Sequence, residues 1–187
     1  MINDEHKFIY IHPPKTGGTS TEKLFISDAD KTDVPHKHKY SDFYNQGQYS
    51  DYYFFGTVRN PWDRMVSYYH WRLKKKLPMF GVENFADWLI FITDPQTFSL
   101  YNEANWHFTT AIDRQAKLLT YVGNIIKFEN FQEGFDKVCD DIGIPRMELP
   151  HVNASDRGSY RDYYNDHTEG IVADYYAQDI DYYDYKF

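Results

Sequence analysis

Two short segments bring together residue types suited to anion chemistry. The first, Pro13-Pro14-Lys15-Thr16-Gly17-Gly18-Thr19-Ser20, packs a lysine, two glycines and three hydroxyl side chains into a single turn region. Glycines let backbone N–H groups approach an anion closely, hydroxyls donate to it, and the lysine supplies charge. In a Walker loop the lysine trails the glycines as Gly-Lys-Ser/Thr and serves β/γ-phosphates and magnesium. Here Lys15 precedes them, which leaves its ammonium free to reach a terminal group across the loop mouth. The second segment runs from Phe55 through Arg59-Asn60-Pro61-Trp62 to Ser67 and Tyr69. A guanidinium such as that of Arg59 can grip a phosphate through two parallel hydrogen bonds. Ser67, about two helical turns on, can add a hydroxyl donor.

Chemistry at these residues requires elements that hold them. Lys7–His12 reads as a buried strand stopped by Pro13-Pro14, and Thr21–Ile26 as the helix after the loop. Strand, glycine-containing turn and helix in that order form half of a βαβ unit, whose helix N-terminus favours an anion. Tyr52–Val58 reads as a second central strand that delivers Arg59 to its C-terminal end, where ligands bind in open α/β sheets. A helix follows from Trp62 to Lys76, with Pro61 well placed at its start because proline lacks the N–H that would go unpaired there. Further helices are expected at Ser41–Tyr44, Val82–Thr93, Gln115–Tyr121, Phe131–Ile142 and Asp166–Tyr183, with a third strand at Asn124–Phe128. Strands alternating with helices predict an α/β fold of the P-loop-like, three-layer kind, its central, mostly parallel sheet flanked by helices. The 187 residues fit one domain, 1–187.

A net charge of −8 argues against nucleic acid as the main partner, since that affinity comes largely from neutralising phosphates. Cys139 is the only cysteine, which excludes an internal disulfide framework or a multi-thiolate metal site and points to a reducing, cytoplasmic setting. The apolar run Phe8–Ile11 is too short for a signal-peptide core or a membrane span, so no membrane insertion is expected. Aromatic residues make up 19% of the chain, a composition that suits sugar stacking and a plain core alike.

Together the two segments resemble the sulfotransferases that use 3′-phosphoadenosine 5′-phosphosulfate (PAPS), specifically their carbohydrate-type, Golgi-like branch. The resemblance continues in Ile126-Lys127-Phe128-Glu129-Asn130-Phe131, and in His151-Val152-Asn153-Ala154-Ser155 with the Tyr/Asp-rich tail to Phe187. It implies that Lys15, Thr16, Gly17, Gly18, Thr19 and Ser20 hold the 5′-phosphosulfate, with Lys15 also at the leaving bridge oxygen. Arg59 and Ser67 would hold the 3′-phosphate. It further implies transfer to an acceptor hydroxyl of a sugar or glycan, without a metal, leaving 3′-phosphoadenosine 5′-phosphate (PAP). In such enzymes a His or Glu takes the acceptor proton. His38 and His36, between the first helix and the second strand, are the leading candidates for that base; both also read as solvated loop histidines. Glu22 reads as a solvated helix-face carboxylate, His107 as a core or acceptor-contact histidine, and His12 as the strand's end.

Arg157 and Gly158 form a cationic loop that would close over the nucleotide. The run Arg72-Leu73-Lys74-Lys75-Lys76 reads as a solvated helix end complementing the helix dipole. Trp62 reads as core, and Tyr182, Tyr183, Tyr185 and Phe187 as an aromatic seal. Two alternatives stay open. One is a P-loop nucleotide or small-molecule kinase, which lacks support from the loop ending and from Arg59 standing where a magnesium-binding Asp would. The other is a non-catalytic nucleotide- or glycan-binding module.

Overall fold

A computed structural model describes residues 1–26, 41–44, 47–79, 81–97, 111–150 and 157–187. His36, His38, His107 and the segment 151–155 lie outside the described residues. The described residues form two compact units: Met1–Arg59 with Gln115–Ala154, and Asn60–Arg114 with Ser155–Phe187.

The first unit holds the sheet. Its strands are β1 (Ile2–Asn3), β2 (Phe8–Ile11), β3 (Tyr53–Val58) and β4 (Asn124–Lys127), in the order β1-β2-β3-β4. β2, β3 and β4 pair in parallel, in register Tyr10↔Phe55 and Thr57↔Ile126, and β1 adds an antiparallel edge with Asn3 opposite Phe8. β1 is an element the sequence reading did not anticipate: two residues ahead of a charged turn carry almost no periodicity. All of β2 is buried, as parallel strands covered on both faces must be.

On one face Phe8, Tyr10, Phe55 and Ile126 meet Phe135, Val138 and Cys139 of a helix over Phe131–Ile142, with Leu24 and Phe25 of the helix over Gly18–Phe25 packed alongside. On the other face Leu119 and Val122, which follow the short helix Gln115–Leu118, lie against Gly56. The fold is thus α/β, a mostly parallel sheet flanked by helices. We number these helices with those of the second unit in chain order: α1 (Gly18–Phe25), α2 (Pro61–Lys74), α3 (Phe85–Thr93), α4 (Gln115–Leu118), α5 (Phe131–Ile142), α6 (Asp166–Tyr175) and α7 (Ala177–Tyr183).

Of the boundaries that differ from the sequence reading, three have a clear local reason. α1 starts at Gly18 rather than Thr21, because Gly17 adopts φ 86° and turns the chain directly into the helix. α3 starts at Phe85 rather than Val82, because the Asn84 side chain accepts from the Asp87 N–H at 2.9 Å and caps the helix there. The last helix is broken at Tyr176, which is fully buried with its hydroxyl donating to the Ile112 carbonyl at 2.7 Å.

In the second unit, Asn60 caps α2 by accepting from the N–H groups of Trp62 (3.1 Å) and Asp63 (3.3 Å), with Pro61 in the first turn. Arg64 is fully buried and donates to the carbonyls of Asp113 and Ala111. Trp62 is core as expected, its Nε1 donating to the Glu169 carbonyl at 3.1 Å and its ring against Phe187. Two surface readings are corrected. Arg72 is not part of the solvated run: it is buried and donates to the Tyr68 hydroxyl and the Pro78 carbonyl, whereas Lys74, Lys75 and Lys76 are exposed. Tyr182 is 72% exposed, with only its ring edge against Tyr183, while Tyr183 and Tyr185 are buried. Among the described residues no helix is long and apolar enough to cross a membrane.

Candidate active site

The first unit brings the glycine loop and Arg59 together. Parallel pairing of β2 and β3, with Ile11 opposite Gly56, sets both C-terminal ends at one edge of the sheet. β2 runs there into Pro13–Gly17 and the start of α1, and β3 runs into Arg59. The Arg59 guanidinium donates from Nη1 to the Lys15 carbonyl at 3.1 Å and lies 4.3 Å from the centroid of the Phe128 ring. A cation over an aromatic face is worth about 0.5–2 kcal/mol and restricts the guanidinium to one plane. Its backbone is clamped as well. Gln115, fully buried, accepts from the Arg59 N–H at 2.9 Å and donates to the Arg59 carbonyl at 2.8 Å. Nothing in the sequence around Gln115 signals this role, because a glutamine at a helix start is ordinary until the strand end it faces is known.

The loop is built from strained and tightly packed backbone. Lys15 sits in the left-handed region at φ 73°, a conformation that costs a non-glycine residue about 1–2 kcal/mol and persists only where its surroundings enforce it. The enforcement is visible. Thr16 is fully buried, donates from Oγ1 to the Pro13 carbonyl at 2.8 Å, and bonds the Thr57 hydroxyl at 2.9 Å; Thr57 in turn bonds the Tyr10 hydroxyl at 2.9 Å. The Thr16 side chain thus ties the loop to β3 and β2. A Cβ on Gly17 would lie 2.5 Å from the Phe131 ring and 2.9 Å from Phe128, and one on Gly18 would lie 2.0 Å from the His12 ring. Both glycines are therefore required by packing, and the first by its positive φ as well.

α1 has no side-chain cap and no acidic residue in its first turn, so its first N–H groups and dipole point at the loop mouth. Thr19 is half-buried there and Ser20 is buried, its N–H bonded to the Gly17 carbonyl at 2.9 Å. Glu22 is a correction. It is not solvated but 7% exposed, and its Oε1 lies 3.0 Å from Nε2 of His12, which is itself 4% exposed.

The second unit carries the remaining sequence-selected residues. Ser67 is half-buried on α2, one turn beyond Asp63, and the Asp63 carboxylate accepts from Arg157, whose side chain is 7% exposed. Arg157 is thus held in an ion pair. A Cβ on Gly158 would lie 3.2 Å from Asp162. On the same helix His70 bonds the Tyr163 hydroxyl at 2.8 Å, and burial first, then the nearby Arg157 charge, holds its pKa below the usual histidine value, which favours the neutral ring.

Tyr44, Gly47, Tyr49, Ser50, Tyr52, Phe54 and Tyr121 line a cleft of about 310 Å³ in the first unit. It opens at the N-terminal end of β3, the length of a six-residue strand, about 20 Å, from Arg59. Tyr44 and Tyr49 therefore do not adjoin the loop.

Comparison with known proteins bears on the fold and the family. The chain shares its fold with mouse sulfotransferase SULT7A1 in complex with PAP, at 14% identity and a TM-score of 0.52, covering 96% of this chain and 86% of that one. A sulfotransferase from Alicyclobacillus acidocaldarius aligns at 15% identity and a TM-score of 0.47, over 95% of this chain and 87% of that one. No curated protein matches the sequence. The profile of the Sulfotransferase family matches residues 1–186, a span that contains the glycine loop and Arg59, and on that match the chain belongs to the sulfotransferase family.

Proposed function

We propose that this sulfotransferase uses PAPS as donor, that residues 1–187 act as one functional domain, and that the acceptor is a carbohydrate hydroxyl. The observation that carries the donor assignment is the Arg59 guanidinium held at the carbonyl of Lys15, which puts a second cation beside a glycine loop at a helix N-terminus. One anion needs only the loop; a nucleotide with phosphates at both 3′ and 5′ positions uses both. The residues fit such a ligand, since α1 has no side-chain cap on its first N–H groups and no carboxylate stands in its first turn. The mouse relative's complex with PAP supports the same reading.

When bound, PAPS supplies the sulfuryl group and leaves as PAP. The N–H groups at the start of α1 and the Thr19 hydroxyl bind the 5′-phosphate, and the Lys15 ammonium offsets negative charge at the bridge oxygen as the S–O bond breaks. Arg59 and Ser67 bind the 3′-phosphate, and Arg157 with Gly158 contributes to the nucleotide. The acceptor O–H gives its proton to a base as its oxygen bonds sulfur, with His38 or His36 proposed for that role. Glu22 is committed to His12, which leaves the histidines as the better candidates. No metal enters these steps.

Radiolabelled sulfate transfer from PAPS to a panel of mono- and oligosaccharides tests this reading. Labelled sugar is expected at rates unchanged by EDTA. Phosphate transfer from magnesium–ATP instead would revive the kinase reading, and PAP binding without transfer to any acceptor would favour a binding module.

A further inference from the structure

We infer that His12 and Glu22 form a buried imidazolium–carboxylate pair behind the glycine loop, and that both are positioning residues for sulfuryl transfer. The inference rests on the reading of that loop as the PAPS site. The pair is sealed from solvent, with side-chain exposures of 5% for His12 and 9% for Glu22. Both ring nitrogens of His12 face oxygen: Nε2 is 3.0 Å from the Glu22 carboxylate and Nδ1 is 3.3 Å from the Pro13 carbonyl. A carbonyl can only accept, so Nδ1 carries a hydrogen, and a charged carboxylate at Nε2 requires a second. A doubly protonated ring satisfies both contacts. It also explains how a carboxylate survives at this depth, where an unpaired charge would be costly.

Placement gives the pair a function. The His12 ring packs against Gly18, the first residue of α1, while Glu22 is on the next turn of that helix. The positive end of the pair therefore points to the loop mouth and the negative end away from it, parallel to the helix dipole. The Pro13 carbonyl is a shared node: His12 Nδ1 donates to it from one side and the Thr16 hydroxyl from the other. Lys15, with its left-handed backbone, lies between Pro13 and Thr16. Protonated His12 thus fixes the turn that aims Lys15, and adds positive potential where the 5′-phosphosulfate binds.

Tyr10 of β2 stacks on the His12 ring with centroids 5.0 Å apart. Burial first, opposed by its bond to Thr57, pushes the Tyr10 hydroxyl well above its usual value, so it stays neutral and leaves Glu22 as the counter-charge.

The test combines imidazole nitrogen NMR of the full chain with PAP calorimetry on wild type, His12→Gln and Glu22→Gln. The expected result is an imidazolium signature for His12 from pH 6 to 8, lost in Glu22→Gln. PAP affinity should fall about tenfold in His12→Gln, the size of a well-placed helix-end charge, with cooperative unfolding retained. A neutral-ring signature in wild type, which would mean a protonated Glu22 donating to Nε2, overturns the inference. So does unchanged PAP affinity in a folded His12→Gln. Should that variant fail to fold, the wild-type spectrum and the Glu22→Gln affinity still decide. Absence of PAP binding by wild type would instead sink the cofactor reading, while the spectrum still judges the pair.

Discussion

Lys15→Met is expected to lower the rate of sulfuryl transfer by about 10²–10³-fold while PAP affinity changes by less than about tenfold, the pattern of a group that acts mainly in the transition state. The charge Lys15 offsets grows on the bridge oxygen as the S–O bond breaks, whereas the 5′-phosphate keeps the α1 N–H groups in either case. Lys15→Arg should recover only part of the rate, because a planar fork does not replace a compact ammonium on a backbone already constrained at φ 73°. Single-turnover rates and PAP calorimetry on the same preparations check this. Equal losses in binding and rate would mean that Lys15 serves ground-state binding only.

Gly17→Val should cost stability and site together. The left-handed backbone at φ 86° disfavours any side chain by about 1–2 kcal/mol. The new Cβ would also press into Phe131 and Phe128 at 2.5 and 2.9 Å, and overpacking of that kind costs about 1–3 kcal/mol. Phe128 is the ring on which the Arg59 guanidinium lies, so the displacement reaches both anion contacts at once. Thermal unfolding should show a loss of about 2–5 kcal/mol, with PAP binding falling at least tenfold in the protein that remains folded. Wild-type behaviour on both measures would show that the loop does not pack as described.

The elements that carry the chemistry were legible in the sequence because their signals are local. β2 ends where Pro13-Pro14 must end it, α5 spans Phe131–Ile142 up to Gly143 as its pattern and terminal glycine indicate, and Arg59 falls at the end of a β-rich run. The partners of these residues were not legible, because they come from distant parts of the chain. Gln115 meets Arg59 across 56 positions, and Thr57 meets Thr16 across 41. Glu22 read as a surface carboxylate since one acidic residue on a helix face is usually solvated. Only the fold reveals that the face turns toward His12. The same reason explains Arg72, whose lysine neighbours are exposed while it turns inward to Tyr68.

The most direct test of the account is calorimetric binding of PAP and of AMP, which lacks the 3′-phosphate, to wild type and to Arg59→Ala. The account predicts that PAP binds wild type far more tightly than AMP, and that Arg59→Ala weakens PAP by about a hundredfold, the scale for losing one partner of a close charge pair, while leaving AMP nearly unchanged. Equal affinities of wild type for PAP and AMP, or a PAP affinity indifferent to Arg59, would contradict it.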